Sequence, residues 1–342
     1  MKMKVLFDAK PPFAWAHGGA QVLVEKLMQH LPELGVEVEP LRWWDEKQFG
    51  DILCLFYWPN NSILYAKKRG LKIVNYVFLD GFTSKSEMSL LARKLFIKTF
   101  RRFFNNYSTE LGWNYNKIAD AYIYPSNYDK YIGNYLFDAG IEKAQVILHG
   151  VDDHYLRQEW NNDRKGDYLI SVGTIHERKN SLLLANIARK AKIPIMFLGK
   201  PYNLNDLYFK EFMKLVDNKY VLYMGFVEEA DKIKYLKDAR GFILLSRAES
   251  GNIAVLEAFA LECPVFLPDL GWARGIYDGY AEFGHLNNLK KLTSQVLAFY
   301  NYPKEKDKRF PVLSWKEVTR KYLQVYTEVL ENNIVSNLKK PS

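Results

Sequence analysis

Short apolar segments alternate with longer stretches of helical periodicity twice along this 342-residue chain, and this alternation restricts the fold more than any other feature. In the first series Lys4–Asp8, Val36–Leu41, Asp51–Phe56, Leu71–Phe78, Tyr122–Tyr124 and Val146–Leu148 read as strands. Ala9–Gly19, with two prolines and two glycines, reads as a loop, and Ala20–Leu34 sets Val22, Leu23, Leu27 and Leu31 on one helical face. A second series follows the polar stretch Asp152–Asp167. Its strands are Tyr168–Val172, Pro194–Leu198, Tyr220–Tyr223, Gly241–Leu245 and Pro264–Leu267, and its helices Ser181–Ala191, Ala230–Ala239 and Ile253–Leu261. Alternation of this kind implies α/β architecture, parallel sheet with helices on both faces. The chain is long enough for two such Rossmann-like halves, with boundaries at 1–150 and 151–324.

Composition narrows the class. Hydrophobic residues make up 48%, enough for sizeable cores and against bulk disorder. The two cysteines, Cys54 and Cys263, sit inside apolar runs and read as small buried hydrophobes rather than a disulfide or metal framework. A reducing, cytoplasmic setting is the default expectation. Met1–Asp8 has too short an apolar part for a signal peptide, and no run approaches the length of a membrane span. The formal net charge of +9 points to an anionic partner: a sugar nucleotide, an anionic lipid surface or nucleic acid. A solvated lysine-rich surface is the alternative, and charge alone does not separate the two.

The most informative stretch is Glu249–Pro264, ESGNIAVLEAFALECP. It follows a strand, and open parallel sheets bind ligands beyond the carboxyl ends of their strands. The helix is expected to start near Asn252, where free N–H groups and the dipole favour an anion such as a diphosphate. Ser250 and Ile253 flank that point, and Gly251 removes a side chain where a phosphate would approach the backbone. Glu257 lies among apolar neighbours, where a carboxylate is expensive to bury without a partner. Helical side chains lean toward the N-terminus, so it can reach a ligand there, and a ribose diol could donate two hydrogen bonds to it. A structural pair with a nearby Lys or Arg is the competing reading.

Glu249 and Glu257 are separated by seven residues, followed by LEAFA and PVF. This arrangement resembles family 4 of the retaining glycosyltransferases, the group 1 transferases of GT-B fold. The resemblance implies that Glu257 binds the donor ribose and that Glu249 approaches the donor sugar and diphosphate. Other landmarks fall in order. HGGAQ, His17–Gln21, resembles the family's glycine loop, in which Gly18 and Gly19 let amides face a phosphate. HGVDD, His149–Asp153, resembles the exit from the first domain. VGTIHERKN, Val172–Asn180, resembles the loop bearing a phosphate-binding Arg and Lys; Gly173 opens it and Lys179 matches the Lys. YMGFVEEADKIKYLKDA resembles the segment whose backbone holds the base, which makes Phe226 and Val227 candidates. SWKEVTRKYLQVYTEVL resembles the terminal helix that crosses back to the first domain, from about residue 325 to 342.

The chain also departs from the pattern. Thr174 stands where the family has Arg, so Arg178 or Arg247 is expected to supply the charge that a departing diphosphate needs. Glu262 and Ser250 replace glycines. In VNYVFLDG, Val74–Gly81, Asp80 matches the Asp of a His-Asp pair, but Leu79 stands at the His position. None of the six histidines falls nearby in sequence, although His17 could approach in space.

Leu90–Phe104, LLARKLFIKTFRRFF, is basic and aromatic-rich and reads either as a membrane-surface helix or as a core helix with a basic edge. The resulting expectation is a GT-B enzyme with two Rossmann-like domains facing a cleft, the first for the acceptor and the second for the donor. It would be a retaining, metal-independent hexosyltransferase acting on a UDP-, GDP- or ADP-sugar, with no cofactor. Glu249, Lys179 and Arg178 are its catalytic candidates, and the acceptor would be lipid-linked or a polysaccharide, reached from a cytoplasmic or peripheral membrane position. A non-catalytic sugar-nucleotide-binding protein, a nucleic-acid glucosylator and a sugar-nucleotide epimerase are the rivals. No nucleic-acid-binding motif is visible.

Overall fold

A computed structural model describes residues 2–9, 18–57, 62–79, 81–114, 118–158, 166–303 and 308–338, with the side chains of 62, 109 and 332–338 left aside. His17 and Asp80 lie outside the described residues. The chain divides into two compact units, Met1–Gly150 with Trp315–Ser342, and Val151–Ser314.

The first unit is built on six parallel strands: β1 (Lys4–Ala9), β2 (Glu37–Pro40), β3 (Ile52–Phe56), β4 (Lys72–Tyr76), β5 (Ala121–Tyr124) and β6 (Ala144–Val146). Their order is β2-β1-β3-β4-β5-β6. Sheets of this kind are covered on both faces, so central strands read as continuous apolar runs. β3, Ile-Leu-Cys-Leu-Phe, is buried at every position and pairs in register with β1 (Val5 with Ile52) and β4 (Ile52 with Lys72). β2 ends in Pro40, a residue tolerated at a sheet edge, and its carboxylates, exposed Glu37 and half-buried Glu39, both meet Lys4 at 2.8 Å. β6 starts two residues before the expected Val146–Leu148, because it pairs with the short β5 from Ala144 opposite Tyr122. The first helix, Gly19–His30, stops short of the expected Leu34: Pro32 lacks an N–H and opens a 3-10 turn that closes on Gly35 at φ 85°.

The C-terminal helix Trp315–Leu338 belongs to the first unit along its whole described length. Trp315, Val318, Tyr322, Val325, Tyr326 and Val329 form its buried stripe, at 3.6-residue spacing, and it packs on Gly19–His30 and β4. The stripe begins at Trp315, so the second unit ends at Ser314, earlier than residue 324. Leu79, at the expected His position, is a fully buried core residue of the first unit. His149 is also buried, with Tyr76 Oη 2.9 Å from Nε2.

The second unit holds β7 (Leu169–Val172), β8 (Ile195–Leu198), β9 (Val221–Gly225), β10 (Gly241–Ile243), β11 (Val265–Pro268) and β12 (Glu282–Gly284), all parallel, in the order β12-β11-β10-β7-β8-β9. This is the doubly wound Rossmann order, with its switch point between β7 and β10. The helix Ser181–Ala191 matches the expected range. Glu262 explains why a glycine suits that position: it follows the helix Ile253–Ala260 at φ 51°, a left-handed cap conformation that a side chain adopts at some strain. Cys54 and Cys263 are buried free thiols. Among the described residues no helix is long and apolar enough to cross a membrane.

Candidate functional site

Loops after adjacent strands on either side of a switch point diverge and leave a crevice at the carboxyl edge. Here the loop after β7 carries Gly173 through Asn180, and the loop after β10 carries Ser246 through Asn252. Backbone ties the two together: Arg247 N donates to Arg178 O at 2.8 Å.

Arg178 and Lys179 lie in a 3-10 turn whose N-cap is His176, with Nδ1 accepting from Arg178 N at 3.2 Å. Asn180 then takes φ 62° and starts the helix Ser181–Ala191. The turn aims both cations at the opposite loop. Lys179 Nζ lies 2.7 Å from Glu249 Oε1 and Arg178 Nη1 lies 3.1 Å from Glu249 Oε2, while Arg178 also donates to Ala248 O at 2.6 Å. Glu249 is buried. Burial pushes its carboxyl up, but Lys179 and then Arg178 overcome this and hold it below its ordinary value. Arg247, the other candidate for the charge absent at Thr174, is mostly exposed and faces Glu177 at 3.6 Å.

Gly199, at the end of β8, supports the first of these loops. It has φ 131°, and a Cβ there would sit 2.2 Å from Gly173 O. Only glycine fits without displacing backbone. Gly199→Ala should therefore destabilise the protein by about 3 kcal/mol, read as a lowered Tm, since strain and overpacking act at one position. An unchanged Tm would remove Gly173–Gly199 contact as a determinant of loop position.

Gly251 has φ 69°, a conformation that favours glycine independently of any ligand. Asn252 caps the helix Ile253–Ala260, its Oδ1 accepting from Val255 N at 3.3 Å. An anion at this end would meet the amides before Val255.

Glu257 is buried one turn into that helix and has a partner: Lys232 Nζ lies 3.0 Å from Oε1, from the helix Glu229–Asp238. Lys232 also meets Glu229 at 3.1 Å, and Glu229 accepts from the Tyr155 hydroxyl. Glu257 thus has the lysine partner that a buried carboxylate needs. Burial still pushes Glu257 up to about 7; Lys232 pulls against that, while Glu229 and Asp152 add to it. Two carboxylates eight positions apart are held in opposite conditions, one kept ionised by two cations, the other titrating near neutrality.

Phe226 and Val227 follow β9, and Phe226 is exposed with Lys200 Nζ 5.6 Å from its ring. Ser250, Gly251, Asn252, Gly173, Arg178, Lys179 and Glu249 gather on the two switch-point loops, and Ile253 opens the helix that follows the second. Gly18 and Gly19 belong to the first unit, where Gly18 caps the helix Gly19–His30 in an extended conformation, φ −155°, open to any residue. Sequence reasoning missed Lys232, Glu229 and Tyr155. Lys232 lies 25 residues from Glu257, and no local pattern marks that pairing.

Residues 152–281 match the family described as glycosyl transferases group 1. Both switch-point loops and the Glu257 helix fall inside the match. The fold is GT-B: sucrose-phosphate synthase from Thermosynechococcus elongatus superposes with a TM-score of 0.70 at 13% identity, over 97% of this chain and 100% of that one. Anabaena HepE in complex with UDP-glucose gives 0.61 at 13%, over 97% and 100%. AviGT4, a glycosyltransferase involved in avilamycin A biosynthesis, gives 0.62 at 17%, over 96% and 98%. No curated protein sequence matches the chain closely enough to count as a relative.

Proposed function

We propose that this chain is a retaining glycosyltransferase that moves a hexose from a nucleoside-diphosphate sugar to a lipid-linked or polysaccharide acceptor. The reading is carried by the convergence of Arg178, Lys179 and Glu249 from two loops at the Rossmann switch point. The group 1 match and the GT-B fold support sugar transfer. In this reading the diphosphate lies along the Gly251–Ile253 backbone and draws Lys179 and Arg178 from Glu249 as it binds. The two cations then meet the charge that develops on the leaving diphosphate, the work a metal ion would otherwise do. Glu249, released from them, faces the donor sugar. Glu257 accepts from the ribose hydroxyls with the oxygen that Lys232 does not engage. Phe226 and Val227 line the base.

The test is a panel of UDP-, GDP- and ADP-sugars scored by thermal shift, because a ligand that binds only the folded state raises Tm. One base should stand out, and turnover assays with that donor then separate an enzyme from a binding protein. A panel without any shift would sink the reading.

The state of Glu257 adds a pH dependence. Its folded pKa lies above the ordinary value, so the native state binds the extra proton and stability from this group falls as pH rises from about 4.5 to about 7. Donor binding has the opposite sign, since only the ionised carboxylate accepts from both hydroxyls. Nucleotide affinity should rise through about pH 7, and Glu257→Gln should flatten that rise. A flat wild-type profile in calorimetry would count against the ribose contact.

A further inference from the structure

The helix Glu87–Phe103 presents apolar side chains where a surface helix normally presents polar ones. Leu90 and Ile97 mark the side that packs on the first unit's core. On the other side Met88, Leu91, Leu95, Phe96 and Phe103 are exposed, Met88 at 83% and Phe103 at 70%. The next helix, Asn105–Glu110, adds exposed Tyr107. Contiguous exposed apolar surface marks an interaction site, because leaving it in water is unfavourable.

Charge identifies the partner. The helix carries Arg93, Lys94, Lys98, Arg101 and Arg102 against one acid, Glu87. Arg93 and Lys94 stand over the rings of Phe82 and Tyr135, and Arg101 pairs with Asp138 at 2.6 Å. Lys98 and Arg102 are exposed and have no carboxylate partner among the described residues. By helical geometry Lys98 lies at the edge of the outward face and Arg102 within it, between Leu91 and Leu95, where a long stem can carry its charge to the surface of a bilayer. Apolar insertion with adjacent cations suits the boundary of an anionic bilayer, where burial and charge attraction act together.

We propose that this face docks on an anionic lipid membrane, with Met88, Leu91, Leu95, Phe96 and Phe103 entering the acyl boundary and Lys98 and Arg102 at the headgroups. Docking goes beyond the donor reading and does not depend on it. The full chain would be sedimented with vesicles of phosphatidylcholine alone and of phosphatidylcholine with phosphatidylglycerol. It should bind the anionic vesicles roughly tenfold more tightly or better. Lys98→Glu with Arg102→Glu should remove that preference, and Leu95→Glu with Phe103→Glu should abolish binding to both. Circular dichroism and nucleotide binding, followed on the same samples, should stay as in the wild type. Retained nucleotide binding shows that the loss is confined to this face; vesicle binding without nucleotide binding would sink the donor reading alone. Equal vesicle binding by the Leu95/Phe103 variant, self-association through this face in light scattering, or capture of single-stranded DNA in place of vesicles would overturn the proposal.

Discussion

Glu257→Ala should weaken nucleoside-diphosphate binding roughly 100-fold, since two hydrogen bonds to a charged carboxylate are together worth about 3 kcal/mol. The fold should persist. The substitution leaves Lys232 next to Glu229 at 3.1 Å, and Glu229 keeps its bond from Tyr155, so no buried cation is orphaned. Glu257→Gln should fall between, because an amide oxygen accepts but carries no charge. Calorimetry with the nucleotide chosen by the thermal-shift panel reads the effect, with Tm as the control. If affinity held while Tm fell, Glu257 would be a structural partner of Lys232 and nothing more.

Lys179→Ala should lower turnover by roughly two to three orders of magnitude, the loss typical of removing one group aimed at developing negative charge. Binding of the intact donor should change less than kcat, because the charge grows only as the diphosphate leaves. Stability should also fall, by about 2 kcal/mol. Glu249 is buried and loses its 2.7 Å partner, but Arg178 stays at 3.1 Å and shares the compensation. Lys179→Arg separates charge from geometry: a planar guanidinium there would compete with Arg178 for Glu249, so it should restore Tm more fully than kcat. Unchanged kcat in Lys179→Ala would show that Lys179 only neutralises Glu249.

Much of the fold was legible because parallel α/β chains write their strands as short apolar runs, such as the ILCLF of β3, and their helices as 3.6-residue stripes. The elements that escaped include the strand Glu282–Gly284, too short to show a period, and two helices, Asn127–Phe137 and Leu289–Asn301, that do carry buried stripes (Ile132 and Leu136; Leu292, Val296 and Phe299). Boundaries moved where a neighbour set them, as β5 does for β6. At the site, the loop glycines stand out by their position after strands, whereas the cations Arg178 and Lys179 were indicated by the resemblance to the group 1 motifs. Their mutual orientation was legible in neither. Arg178 and Arg247 were equal in sequence, and only the 3-10 turn, which aims one at Glu249 and leaves the other facing Glu177, distinguishes them.

The sequence by itself determined the two-part α/β plan and a carboxylate within the apolar run IAVLEAFAL, since periodicity and composition are local properties. Only the tertiary structure decided what surrounds that carboxylate. Lys232 arrives from another helix, and its charge, set against the desolvation of Glu257, leaves the carboxyl near 7. Likewise the pattern of Glu87–Phe103 allowed a core helix or a membrane helix. Packing decided which residues face outward: Leu90 and Ile97 satisfy the core, and Met88, Leu95 and Phe103 are left in solvent. A one-dimensional pattern records which residues share a face, while the partner of each face depends on where the rest of the chain lies.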